Sequence, residues 1–345
     1  MKKSLAVRLV AYTIYIVFLV LLIEAGSRIF LAKKMPSVTF INLSGFIDSY
    51  YPNLKAIETN SPNKDDGVFD ILLLGGSVLH PNNGEIEEEL NKQLTALNKH
   101  TPFKIHNAAT PAHTSRDSKL KMDLLSQHHF DLILFYHGIN DTRANNCKPE
   151  VFKKDYSHFK WYDEIEGIMK RPKKDWTAIP IAFNYLKIDI YQRLFPRRYI
   201  PRGYPRNGWT EYGEEVKTKA SFKAHIRSIL NHAESMNSKL VVPSFTYWID
   251  DRYSKEFFEK NKDRDERARM PVEIWGKPPY VIKGIEAHNS VILTMAKEND
   301  NLMYIDMHSK MPKGDLFYDD ICHLSQEGSI RFAKIIVAQI SKEIK

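Results

Sequence analysis

Two cysteines in 345 residues, Cys147 and Cys322, exclude the disulfide framework that staples small secreted domains. Cysteine and histidine nowhere stand at zinc-site spacing, and neither a P-loop nor a dinucleotide-binding glycine fingerprint occurs. Internal repeats are missing as well. The net charge of +8 is moderate, with basic residues clustered by region; it suits an anionic polymer or a membrane surface and does not imply nucleic acid. Apolar residues make up 43%, enough for an ordinary buried core, and the length is long for one core but short for two large domains.

Long apolar runs are equally scarce, with one exception. Leu5 to Ile23 is broken only by Arg8. About nineteen helical residues rise roughly 28 Å, close to the thickness of a bilayer core. Arg8 lies within a turn of the start, where its side chain snorkels to the interface. The run therefore predicts an anchor within residues 1–34, spanning at about 5–23. Ala25-Gly26-Ser27 keeps a cleaved leader as the alternative. The short basic start, Met1-Lys2-Lys3, predicts a cytoplasmic tail. The expected arrangement is a single pass through a bacterial inner membrane with the rest on the periplasmic or extracytoplasmic side.

Residues 35–67 are polar and proline-punctuated and read as a connecting segment. Beyond them, short apolar runs alternate with amphipathic stretches. Strands are predicted at Phe69 to Gly75, Phe103 to Asn107, Phe130 to Tyr136, Lys239 to Ser244 and Leu302 to Ile305. Helices are predicted from Glu85 to about Asn98, from Thr114 or Ser115 to about His128, from about Tyr212 to Met236, from about Tyr280 to Glu298, and from Ser325 to Ile344. Alternation of this kind gives βαβ units and a mostly parallel sheet with helices on both faces, a three-layer α/β/α sandwich of flavodoxin type over 68–345. Two excursions interrupt the rhythm. Residues 148–213 are rich in aromatics, prolines and basic side chains, and residues 247–279 are highly charged between Trp248 and Trp275. Such excursions serve as lids or binding loops, or simply pack on the core.

Three polar features fall at predicted strand ends. Gly75-Gly76-Ser77 follows the first strand, Gly138-Ile139-Asn140-Asp141 the third, and Asp320-Ile321-Cys322-His323 precedes the last helix, with Ser325 as its cap. A serine nucleophile needs a base, a carboxylate to orient that base, and donors for developing negative charge. Ser77, His323, Asp320 and Asn140 are the residue types that fill these roles. His80, His106, His113 and His137 stand near the motifs as rivals, and Asp319 competes with Asp320. Asp141 reads as a loop-holding residue. A metal site is not expected, because acids and histidines lack helical ligand spacing.

With Asn107-Ala108-Ala109-Thr110-Pro111-Ala112-His113-Thr114-Ser115 as a second block, the four ordered blocks resemble the SGNH/GDSL hydrolase superfamily, in its Gly-Gly-Ser branch. The resemblance implies Ser77 as nucleophile, His323 as base and Asp320 as its orienter. It implies an oxyanion hole from the Ser77 N–H, the Asn140 side chain and a backbone N–H that relatives take from a glycine. Here that position is Ala112, and an earlier glycine of the block is Ala109. A left-handed backbone at Ala112 would bring a steric cost there. If the family fold brings their loops together, Cys147 and Cys322 form a disulfide; a pair of free thiols is the alternative. The implied activity is a cofactor-free serine esterase on O-acyl, chiefly O-acetyl, groups of envelope or exported polysaccharide or lipid. An O-acyltransferase using the same residues and a non-catalytic glycan-binding protein are the alternatives.

Overall fold

A computed structural model of the chain describes residues 5–43, 45–60, 62–64, 66–97, 101–169, 177–196, 198–200, 211–254, 256–257, 260 and 275–344. It forms two compact units, Met1–Pro52 with Lys160–Tyr199, and Asn53–Phe159 with Ile200–Lys345. In chain order the elements used below are α1 (Leu5–Lys34), α2 (Phe46–Tyr50), α3 (Pro52–Asn60), β1 (Phe69–Gly75), α4 (Ile86–Leu97), β2 (Phe103–Asn107), α5 (Ser115–Leu124), β3 (Leu132–Tyr136) and α6 (Ile139–Asn145). There follow α7 (Lys160–Met169), α8 (Ile179–Leu194), α9 (Lys219–Met236), β4 (Lys239–Pro243), α10 (Pro278–Glu298), β5 (Leu302–Ile305), α11 (Met307–Lys310) and α12 (Gln326–Ile340).

The larger unit is built on one five-stranded, wholly parallel sheet in the order β2-β1-β3-β4-β5. Side chains alternate along each strand, so the two faces can be read by parity. Ile71, Leu73, Leu132, Leu134 and Val241 share a buried cluster with Ile86, Leu90 and Leu94 of α4 and Phe332, Ile336 and Ile340 of α12. The intervening residues face the other way: Phe135 packs on Phe222 of α9, ring centroids 6.1 Å apart. On that side α9 packs against both α5 and α10, and on the first side α4 packs against α12. The result is the predicted α/β/α sandwich. The chain leaves β1 toward β2 and returns for β3 on the opposite side, so the β1–β3 boundary is a topological switch point, where ligands bind beyond the strand ends.

The predicted strands at 69–75, 103–107 and 302–305 match, and those at 130–136 and 239–244 shorten to Leu132–Tyr136 and Lys239–Pro243. The α5 helix stops at Leu124 and α12 at Ile340, short of the expected His128 and Ile344. Most of the charged excursion at 247–279 lies outside the described residues, as does the Met1-Lys2-Lys3 tail. Cys147 and Cys322 are both buried free thiols, so the disulfide suggested by the resemblance is not formed.

The smaller unit contains α1, the one helix among the described residues long and apolar enough to cross a membrane. It continues past the apolar run to Lys34 and joins residues of the first excursion. The Glu24 carboxylate accepts from the Ala178 N–H at 2.9 Å, from the Ile179 N–H at 3.3 Å and from the Thr177 hydroxyl at 2.5 Å. The first N–H groups of a helix have no acceptor within it, so Glu24 caps α8 from a distant part of the sequence. This contact ties the start of α8 to α1 within the smaller unit.

Candidate active site

Ser77 follows directly on the Gly75-Gly76 end of β1 and opens a short 3-10 turn, Ser77–Leu79. Its Oγ lies 2.7 Å from His323 Nε2. The opposite ring nitrogen, Nδ1, is 2.6 Å from Asp320 Oδ2. The other carboxylate oxygen, Oδ1, accepts the backbone N–H groups of Cys322 and His323, each at 2.8 Å. These last two bonds explain the Asp-x-x-His spacing: a carboxylate that caps the turn it begins is held fixed beneath the ring three residues later. Just beyond it, Ser325 caps α12, accepting from the Gly328 N–H at 3.1 Å.

Asn140 enters from the end of β3, whose Tyr136 pairs with Gly75 of β1. Its Nδ2 donates to the His113 carbonyl at 2.8 Å. A carboxamide nitrogen carries two hydrogens, so this bond fixes the side chain and leaves the second hydrogen for a ligand. The approach is close: a Cβ on Gly76 would sit 2.9 Å from Asn140 Nδ2. Glycine at 76 is thus a spatial requirement of the Asn140 contact.

The second block is pinned from below. Ala108 and Thr110 continue the sheet pairing through N–H bonds to the Leu73 and Gly75 carbonyls. The buried Lys121 ammonium donates to the Ala108 carbonyl and, at 3.0 Å, to Thr110 Oγ1. Asn53 donates to the Ala109 carbonyl at 2.9 Å. Within this braced loop Ala112 has φ of +62°, the left-handed conformation glycine adopts freely and other residues reach at a cost of about 1–2 kcal/mol.

A buried relay that the sequence did not reveal ties the second and third blocks together. Asp141 accepts from the Ser115 N–H at 3.0 Å, the Ser115 hydroxyl at 2.5 Å and the Tyr156 hydroxyl at 3.0 Å. Ser115 Oγ, its proton committed to Asp141, accepts in turn from His225 Nδ1 at 2.8 Å. Tyr156 holds a left-handed φ of +59° to reach this position. Asp141 was expected to hold its own loop through backbone bonds; the backbone N–H it accepts is that of Ser115 in the second block. Ser115, Tyr156 and His225 carry no motif spacing; the only signal for Ser115 was its suggested role as a helix cap, which Thr114 takes instead.

The rival histidines are engaged elsewhere. His106 binds Asp70 at 2.6 Å, His137 binds Ser118 at 2.6 Å, and His80 accepts the Asn82 N–H at 3.2 Å. His113 contributes its carbonyl. Asp319 gives its backbone N–H to the His323 carbonyl at 3.0 Å.

The electrostatics follow from burial and pairing. Burial alone would raise Asp320, but the His323 charge and the hydrogen bonds from residues 322 and 323 hold it below the ordinary carboxylate value. For His323, burial disfavours the imidazolium, yet the adjoining Cys322 and Asp320 together more than offset it and the ring titrates above an ordinary histidine. Cys322, whose Sγ lies 3.8 Å from His323 Nδ1, is pushed up to about 11 by burial and is a neutral thiol at neutral pH. Burial lifts Asp141 to about 7. Asp320, Cys322 and His323 form the one group among the described residues with ligand atoms close enough for a metal, within 4.8 Å of one another. Their Nδ1 and Oδ2 atoms are already joined to each other.

No protein-family model matches the chain, and no curated protein gives a significant match. Solved structures do align. A lipase/acylhydrolase from Enterococcus faecalis covers 80% of this chain and 97% of its own at 14% identity, with a TM-score of 0.42. An acetyl xylan esterase variant from Geobacillus stearothermophilus covers 83% and 99% at 13% identity, with a TM-score of 0.45. A GDSL-like lipase from Bacteroides thetaiotaomicron covers 85% and 97% at 13% identity, with a TM-score of 0.45.

Proposed function

We propose that this chain is a membrane-anchored serine esterase of SGNH/GDSL type, acting on O-acyl, chiefly O-acetyl, esters of envelope or exported polysaccharide or lipid. The observation that carries the reading is the unbroken series Ser77 Oγ, His323 Nε2, His323 Nδ1, Asp320 Oδ2, with successive contacts of 2.7 and 2.6 Å. Neutral His323 takes the Ser77 proton as Oγ attacks the ester carbonyl, and Asp320 steadies the imidazolium so formed. Negative charge collects on the former carbonyl oxygen, where the Ser77 N–H, the Ala112 N–H and the second Asn140 amide hydrogen act as donors. Ala112 adopts the left-handed backbone that a glycine would use, which supports its N–H in this role. Collapse of the tetrahedral intermediate expels the alcohol, which leaves with the proton from His323. Water then repeats the sequence on the acyl-enzyme and releases the acid, restoring Ser77.

The apolar α1 run supports an anchor in the membrane, with the esterase on the extracytoplasmic side. A sugar hydroxyl in place of water at the second step would make the same residues an acyltransferase. Purified protein is expected to hydrolyse p-nitrophenyl acetate, and Ser77→Ala to abolish turnover. Equal rates for the two proteins on this ester and on acetylated glycans would reject the esterase reading in favour of glycan binding without catalysis.

A further inference from the structure

The smaller unit holds a cavity of about 230 Å³ where the end of α1 meets α2, α7 and α8. It shares no residue with the Ser77 site. Lys160 is its internal counter-charge, with Nζ 2.5 Å from Asp189 Oδ1 and 3.4 Å from Glu164 Oε1. Tyr50 Oη donates to Glu164 Oε2 at 3.5 Å, and Lys34 Nζ faces Asp189 Oδ2 as a long ion pair of 3.9 Å. The two carboxylates thus balance the two ammonium groups in charge, and an ammonium with three N–H bonds keeps hydrogens to spare at Lys34. Lys34 makes only that one long contact among the described residues, and its side chain is half exposed. Tyr185 lines the cavity, is 7% exposed, and its hydroxyl has no hydrogen-bond partner among the described residues. The hydroxyl opens onto the cavity and is free to donate to a bound acceptor there.

The walls add shape to this donor pair. Trp161 and Tyr50 form an edge-to-face aromatic pair, centroids 4.6 Å apart, along one side. The volume is below that of drug-sized pockets and suits a single ring. Lys34 follows Ile23 by eleven residues, about 16 Å of helix rise. The headgroup layer outside a bilayer core is only about 5–7 Å thick per leaflet. With α1 spanning as proposed, a lipid headgroup of the same membrane does not reach the cavity.

We propose that this cavity binds a sugar-sized unit bearing an oxyanion, a carboxylate or a phosphate, whose oxygens accept from Lys34 Nζ and Tyr185 Oη while its ring lies against Trp161 and Tyr50. The site gives the anchored unit a hold on an acidic polymer separate from ester chemistry, and it does not depend on the esterase reading.

The test uses the full chain in detergent with Ser77→Ala, so that turnover cannot contribute, and isothermal titration with glucuronate, glucose 6-phosphate, glucose and inorganic phosphate. One or both anionic sugars are expected to bind at least about tenfold tighter than glucose, and glucose 6-phosphate tighter than phosphate. Lys34→Ala and Tyr185→Phe are each expected to weaken the binding by roughly tenfold, the scale of a lost hydrogen bond to a charged group. Lys34→Arg is expected to restore it. Unchanged thermal melts would show that the variants are folded. The proposal is overturned if neither anionic sugar binds, if glucose or phosphate alone binds as tightly, or if folded Lys34→Ala and Tyr185→Phe proteins bind like the parent. Which of the two anionic sugars binds identifies the oxyanion.

Discussion

Replacing Asp320 by asparagine isolates what the carboxylate contributes to His323. Asparagine retains an oxygen for the two 2.8 Å backbone bonds from Cys322 and His323, so the turn survives. The other arm changes sign. Where Oδ2 accepted at 2.6 Å from Nδ1, an NH2 group now donates, and Nδ1 must present its lone pair. The ring proton then sits on Nε2, facing Ser77 Oγ, and the serine has no base. An inverted tautomer of this kind lowers kcat by about 10⁴, roughly 5.5 kcal/mol of barrier. The pH profile moves too. In the parent, burial opposes the imidazolium but Cys322 and Asp320 together prevail, so the limb on which activity rises with deprotonation lies above pH 6.5. In the variant the Asp320 contribution is gone while that of Cys322 remains, and the limb of the residual rate shifts to lower pH. Initial rates on p-nitrophenyl acetate from pH 5 to 10, with a thermal melt at each end, measure both effects. A folded variant that keeps more than about a tenth of the parent rate, or whose limb stays in place, refutes the orienting role of Asp320.

Ala112→Gly removes left-handed strain of about 1–2 kcal/mol but gives the unfolded chain about 0.4–1 kcal/mol of extra freedom, so stability is expected to change by less than about 1.5 kcal/mol in a denaturant titration. Its esterase rate is expected to stay within about tenfold of the parent if the Ala112 N–H is the proposed oxyanion donor, because the backbone already holds a left-handed φ; a hundredfold change in either direction would contradict that proposal. Asp141 titrates at about 7 when folded and near 3.9 when unfolded, so the folded state binds more protons in between. Stability attributable to Asp141 is therefore expected to fall as pH rises from about 4 to 7, and a melting series should show Asp141→Asn flattening that slope. Tyr156→Phe removes one of three donors to the same buried carboxylate and is expected to destabilise by about 1–3 kcal/mol, read from urea midpoints.

The central sheet was legible because parallel strands buried on both faces are written as compact apolar runs, as in Ile71-Leu72-Leu73-Leu74 and Leu132-Ile133-Leu134-Phe135. The candidate Asp320–His323 pair was legible because its spacing is local chemistry: Asp320 caps the very turn that presents His323. Helix ends were less so, since α5 and α12 stop before their amphipathic pattern does. The relay under Asn140 was not readable at all. Ser115, Asp141, Tyr156 and His225 come from four parts of the chain, and only tertiary packing makes neighbours of them. The grouping of 160–199 with α1 was hidden for the same reason, because it turns on one carboxylate, Glu24, whose acceptors and donors lie more than 150 residues apart. Ala112 was half visible: the sequence marked the position, but only its φ showed that the backbone had kept a glycine-like form.

Glu24 also bears on how the chain matures. It is the first residue after the apolar run and precedes Ala25-Gly26-Ser27, the one stretch where a leader peptidase would find small residues. A cut there would carry Glu24 away with the leader and strip the Ala178 and Ile179 N–H groups and the Thr177 hydroxyl of their shared acceptor. Each part-buried donor so abandoned costs about 1–3 kcal/mol, a large fraction of what holds a unit of this size together. Processing at that point would thus loosen α8 and, with it, the pairing of Asp189 with Lys34. A chain begun after Ser27 is therefore expected to melt below the full chain, and equal melting temperatures would show that α8 does not lean on Glu24.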